Sequence, residues 1–167
     1  VKPLFEEDKF WNIIPPIVES WRGTPYRHMM MVKHRGADCT LFLAAIFKEA
    51  GYMISLNVPD YYPRDWNVHT REEMVKNSLI DHLDNHLAKG LTSKIFQKGE
   101  IEPEDFMRGD LLGFKTLGSK CTNHTAMWLG RNNWMVNSIQ SMGVSDMEFN
   151  RAWNRCLTTV FRIMIKE

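Results

Sequence analysis

Three side chains in this sequence can together carry acyl-transfer chemistry: the thiol of Cys39, the imidazole of His124 and the amide of Asn137. A thiolate nucleophile needs an imidazole to take and return a proton, and a third polar group to fix which ring nitrogen carries it. Cys39 stands at the head of the apolar run from Thr40 to Ala50, directly after Gly36-Ala37-Asp38. Asp38 is a natural N-cap, Gly36 loosens the approach and Gly51 supplies the stop, so a helix is expected to begin at the cysteine. The first turn of a helix leaves backbone N–H groups unpaired at the positive end of the macrodipole. A sulfur placed there is expected to favour the thiolate, and the Cys39 N–H is a candidate oxyanion donor.

His124 opens the apolar run to Leu129, and Asn137 lies near the end of the run from Trp134 to Ser138. Strand alternation puts the imidazole on the face of Ala126 and Trp128, where the helix terminus is expected to meet it. A short turn at Gly130-Arg131-Asn132-Asn133 pairs the two runs antiparallel. Asn137 then falls near the level of His124, and its carbonyl can accept the second ring N–H. Taken singly, a buried cysteine packs as a small hydrophobe and a strand histidine is a satisfied structural group. Cys121, three residues before His124, is a rival nucleophile, but extended backbone aims the two side chains to opposite faces unless a turn intervenes. Cys156 reads as packing.

The elements that must position these groups follow from periodicity. Phe10 to Trp21 reads as a helix interrupted or begun at Pro15-Pro16. Gly23-Thr24-Pro25-Tyr26-Arg27-His28 is a turn that places an aromatic ring, a cation and an imidazole close ahead of Cys39. Asn57 to Val68 is aperiodic and reads as a loop or lid. Thr70 and Glu73 form a capping box for a helix running to about Lys89. On it, His82 and His86 have metal-ligand spacing, but Leu83 occupies the place of the general-base glutamate, and a solvated polar face is the expected reading, with no metal or other cofactor. Strands are expected over Asp110–Lys115, His124–Leu129, Trp134–Ser138 and Thr159–Ile165. Ser145 to Trp153 is expected to be a helix opened by a second capping box, Ser145 with Glu148. Helices first and strands later imply an α+β fold in which an antiparallel sheet packs on the Cys39 helix.

Composition excludes several classes. The 167 residues, 44% hydrophobic and 25% charged, suit one domain over 1–167. With 21 basic and 20 acidic residues the formal charge is +1, which offers no field for nucleic acid. Three separated cysteines fit neither a disulfide framework nor a zinc ribbon. The start, Val1 to Asp8, has no secretory pattern and no run is long enough to insert in a membrane, so cytoplasmic synthesis is expected.

Trp21–His28, Gly36-Ala37-Asp38-Cys39-Thr40, Arg108-Gly109-Asp110-Leu111-Leu112, His124–Gly130 and Met135-Val136-Asn137-Ser138 resemble, in order, the motifs of the NlpC-type cell-wall peptidases. The resemblance runs from about Ile17 to Ser138. It implies a papain-like α+β core and hydrolysis of peptidoglycan stem peptides, usually between γ-D-glutamate and a diamino acid. It also implies Cys39 as nucleophile, His124 as general base and acid, and Asn137 at an orienting position where the family more often has histidine. Tyr26, Asp38 and Thr40 match positions near the thiol and the substrate's amino end, and His28 joins them as a substrate-binding candidate. The sequence departs from the pattern in two places: a loop and helix inserted at about 57–99, and Met29-Met30-Met31-Val32-Lys33 in place of a glycine-rich piece. Bacteriophage and prophage members share such features, which suggests phage tail proteins as partners and a virion-associated enzyme acting at the cell wall. A catalytically silent wall-binding or tail module, or an acyltransferase using the same Cys-His pair, are the alternatives; thiol reactivity against pH and product analysis discriminate them.

Overall fold

The computed structural model describes residues 1–166. In chain order these form β1 (Lys2–Pro3), α1 (Asp8–Trp11), α2 (Ile14–Trp21), β2 (Met31–Val32), β3 (Gly36–Ala37) and α3 (Cys39–Glu49). Then come α4 (Trp66–His69), α5 (Met74–Asn85), β4 (Leu91–Gln97), β5 (Leu111–Phe114), β6 (His124–Trp128), β7 (Trp134–Ile139), β8 (Gly143–Glu148), α6 (Arg151–Cys156) and β9 (Leu157–Ile165). The result is the α+β arrangement expected from the sequence. No helix among the described residues is long and apolar enough to cross a membrane.

α3 is the hub, and its ends are set locally. The Asp38 carboxylate accepts the Leu41 N–H at 2.8 Å, satisfying a donor that the first turn would leave unpaired. At the other end Gly51 has φ +81°, and the reversed chain lets the Tyr52 N–H reach the Phe47 carbonyl at 2.8 Å. Every residue from Cys39 to Phe47 is buried, so the helix is held by packing on all sides. Pro15 and Pro16 sit in the first turn of α2, where the missing N–H groups have no intrahelical partner to lose.

β9 is the long central strand of a seven-stranded antiparallel sheet. β4 pairs along one of its edges, from Gln97 opposite Thr159 to Leu91 opposite Ile165. β5 and then β1 share the other edge, and β6, β7 and β8 follow β5 outward. One face, with Leu111, Met127, Val136 and Phe161, packs on α3. The opposite face, with Leu112, Phe114, Ala126, Trp128 and Val160, is covered by Phe106 and Phe149. Burial on both faces explains why every residue of β5 and β6 is buried. The structure therefore corrects one expectation: α3 lies on the sheet face opposite Ala126 and Trp128, and its first residue, Cys39, shares a cavity with His124 at the start of β6.

Four local expectations are also corrected. Ser145 and Glu148 lie in β8, because Gly143 at φ +68° turns the chain tightly and β8 zips onto β7 from Gly143 opposite Ile139 to Glu148 opposite Trp134. The helix there is only Arg151–Cys156, capped by Asn150, which accepts the N–H groups of Ala152 and Trp153 at 2.9 and 3.1 Å. Thr70 closes α4 instead of opening α5, and Glu73 is drawn away to accept the Thr122 N–H at 3.0 Å. The 57–99 segment contains a strand, β4, as well as a loop and helix, and α5 ends at Asn85.

Candidate active site

Cys39, His124 and Trp153 line one open cavity of about 320 Å³ at the α3 N-terminus, together with residues of the 57–69 segment. Several contacts build it. The Thr40 and Thr125 hydroxyls, one residue along from the cysteine and the histidine, lie 3.4 Å apart and tie the start of α3 to the start of β6. Ser138 donates to the Ala37 carbonyl at 2.6 Å, fixing the approach to the cysteine on β7. Gly36 admits this approach because a Cβ there would lie 2.7 Å from Arg27 Cβ.

β6 pairs with β7 through Met127 opposite Val136 and Trp128 opposite Met135, so Asn137 sits opposite Ala126, diagonal to His124 on the same face. His124 Nε2 and Asn137 Oδ1 are both buried and, among the described residues, neither has a hydrogen bond of ordinary geometry, although Asn137 lies close enough to favour the protonated ring. They are complementary, one able to donate and the other to accept. The imidazole is further held by the Trp153 ring, 5.5 Å away and tilted by 37°, and by Phe114, its cross-strand partner, at 6.1 Å.

The electrostatics reverse the expectation of a resting thiolate. Burial pushes the Cys39 thiol up to about 11, and the Asp38 carboxylate adds to the rise; hydrogen bonding from Thr125 and Thr40 offsets part of it. Burial takes His124 down to about 4, against the opposing effect of Asn137. Desolvation penalises the charged form of both groups. Cys39 is only 4% exposed, and its sulfur lies 3.8 Å from Thr40 Oγ1. The resting pair is neutral thiol and neutral ring.

Of the other candidates, Tyr26, His28 and Asp38 line the cavity, whereas Thr40 does not. Both Asp38 oxygens are engaged by backbone, Oδ1 by the Leu41 N–H and Oδ2 by the Met29 N–H at 3.0 Å. Burial raises its carboxyl to about 6, with the Leu41 N–H and the nearby His28 among the opposing effects. His28 Nε2 bonds the Tyr62 carbonyl at 2.8 Å and its ring meets Tyr62 edge-on. Cys121 is packed with Tyr62, Trp66 and Val75 and points at the Thr70 carbonyl, 3.7 Å away, apart from the cavity lining. His82 and His86 have protein partners at Ser78, Asn57 and Ser55. No cluster of three or more metal-ligating side chains occurs among the described residues. Arg64, Ser138 and Trp153 also line the cavity; the aperiodic loop gives no signal for Arg64, and Ser138 is notable in sequence only as the neighbour of Asn137.

A sequence model of the NlpC/P60 family matches residues 23–162. No curated protein sequence matches the chain. Among solved structures, the fold is similar to a Staphylococcus aureus protein described as similar to lipoprotein, NLP/P60 family, with TM-score 0.59 and 20% identity over 99% of this chain. It is also similar to a Bacillus cereus NlpC/P60 family protein, with TM-score 0.51 and 18% identity over 89% of this chain. The chain spans 44% and 38% of the lengths of those two proteins. The Mycobacterium tuberculosis peptidoglycan hydrolase RipB has TM-score 0.50 and 14% identity, over 95% of this chain and 66% of its own.

Proposed function

Because the chain belongs to the NlpC/P60 family, we propose that it is a cysteine peptidase of peptidoglycan stem peptides, cleaving the amide between γ-D-glutamate and a diamino acid. The observation that carries this reading is the convergence of Cys39 and His124 on one open cavity, with the orphaned amide oxygen of Asn137 complementing the orphaned ring nitrogen.

In this mechanism Asn137 Oδ1 accepts the Nε2–H of His124 and leaves Nδ1 free as the base. As the sulfur attacks the scissile carbonyl carbon, the thiol proton passes to Nδ1 and the carbonyl π pair moves onto oxygen, facing the Cys39 N–H. The C–N bond then breaks and the ring returns its proton to the leaving amine. Water adds to the thioester with the ring again as base, the S–C bond breaks, the ring returns its proton to the departing sulfur, and the carboxylic acid leaves. Because the resting pair is neutral, proton transfer accompanies attack, and substrate must displace water and draw sulfur and ring together. Tyr26, His28 and Asp38, which line the same cavity, are the groups assigned here to contact the peptide's amino end.

Cys39→Ala is expected to abolish cleavage of a synthetic stem tripeptide while leaving the thermal midpoint within a few degrees. Retained cleavage overturns the reading. The raised Cys39 thiol favours a second reading, a silent wall-binding module. That reading requires the wild type to bind murein fragments without cutting them.

A further inference from the structure

We propose that Arg64, supplied by the inserted segment, receives a substrate carboxylate next to the scissile amide and makes the enzyme selective for a free acid over its carboxamide; this rests on the peptidase reading above. Among the described residues lining the cavity, Arg64 is the only arginine or lysine and Asp38 the only carboxylate. Asp38 is buried under two backbone N–H groups. Arg64 is exposed at the rim, and no acidic residue among those described lies within ion-pair distance of it. Its sequence neighbour Asp65 is paired instead with His69 at 2.9 Å.

Surface arginines are usually mobile, but this one sits in a turn braced by buried neighbours. Tyr62 and Trp66, two residues to either side, are 7% and 6% exposed and stack edge-on at 5.7 Å. The Trp66 N–H closes a turn onto the Pro63 carbonyl at 3.1 Å, with Arg64 inside it. The Tyr62 carbonyl is bonded to His28, so the turn is tied to the cavity wall. The guanidinium carbon sits 5.8 Å from the centre of the Tyr26 ring. Arg64, Tyr26 and Cys39 therefore line one cavity, with the guanidinium beside the Tyr26 ring.

A γ-linked glutamate leaves its α-carboxylate four bonds from the scissile carbon, a reach of roughly 5 Å at ordinary bond lengths. A planar guanidinium presents a two-pronged donor face that suits a carboxylate and does not suit the neutral amide.

The test uses two synthetic tripeptides that differ only in the glutamate α-group, carboxylate or carboxamide. Wild-type protein is expected to cleave the carboxylate peptide about 10- to 100-fold more efficiently, chiefly through KM, the scale of a charge-assisted hydrogen bond. Arg64→Gln should remove that preference while changing cleavage of the carboxamide peptide less than about twofold, and Arg64→Lys should restore part of it. Equal cleavage of both peptides by the wild type, or equal loss on both in Arg64→Gln, overturns the assignment and leaves the peptidase reading intact. If the wild type cuts neither peptide, calorimetric binding to Cys39→Ala decides. A carboxylate preference that Arg64→Gln erases supports the Arg64 contact and overturns only the peptidase reading, and the absence of that preference overturns both.

Discussion

At the scale of the residue, the two groups proposed to do the chemistry are held in the protonation states that burial prefers. Desolvation raises Cys39 and lowers His124, so the rest state stores no thiolate. Alkylation of Cys39 by iodoacetamide is expected to climb steadily from neutrality to pH 10, with no plateau near 7. A plateau there would mean a resting ion pair and would contradict this environment. In the proposed mechanism Asn137 acts on the ring and not on substrate, so Asn137→Ala should lower kcat by roughly a hundredfold, the lower end of what positioned acid–base catalysis supplies, and leave KM nearly unchanged. A rise in KM with kcat intact would place the amide in substrate binding instead.

At the scale of the element, the central strand is locked to the loop ahead of β5 by a buried ion pair. Arg162 Nε and Nη2 donate to the two Asp110 oxygens at 2.8 and 2.7 Å, and Nη2 also reaches the Asp105 carbonyl at 2.9 Å. The Asp110 side chain is 1% exposed and that of Arg162 14%, so solvent screens the pair weakly. Arg162→Met strands a buried carboxylate and is expected to cost about 3 kcal/mol in urea unfolding; a loss under 1 kcal/mol would show that the loop simply relaxes. The Asn150 cap works on a smaller scale. Asn150→Ala should cost about 1 kcal/mol and, because α6 carries Trp153 against His124, should also lower activity.

At the scale of the whole molecule, buried titratable groups make stability depend on pH in two opposing directions. His124 stays neutral in the fold down to about 4 but takes a proton near 6.5 when unfolded, so its contribution is present above 6.5 and is lost as pH falls toward 4. Buried His82, also lowered, acts in the same sense. Asp38 keeps its proton up to about 6 in the fold but loses it near 3.8 when unfolded, so its contribution is present below 3.8 and is lost as pH rises through 6. Asp110, raised chiefly by burial, adds to that side. The slopes oppose one another between about pH 4 and 6, and the wild-type thermal midpoint should change little there. His124→Gln removes one positive slope, so its midpoint should fall with rising pH across that window; parallel curves for variant and wild type would refute the balance.

Part of this structure is decided by a few neighbouring residues and can be read along the chain. Asp38 and Gly51 delimit α3 because caps are short-range hydrogen bonds, and β5, β6, β7 and β9 were legible because short apolar and β-branched runs bounded by turn residues need no distant partner to be recognised. The order of Cys39, His124 and Asn137 was readable for the same reason. Tertiary structure decided the rest. Ser145 and Glu148 match a capping box, yet pairing with β7 holds them in a strand; Glu73 matches another, yet the Thr122 N–H takes its carboxylate. The sheet face on which α3 lies, the place of Arg64 at the cavity rim and the upward shift of the thiol all depend on which distant side chains exclude water. Desolvation is summed over the whole packed molecule, and no window of sequence contains it.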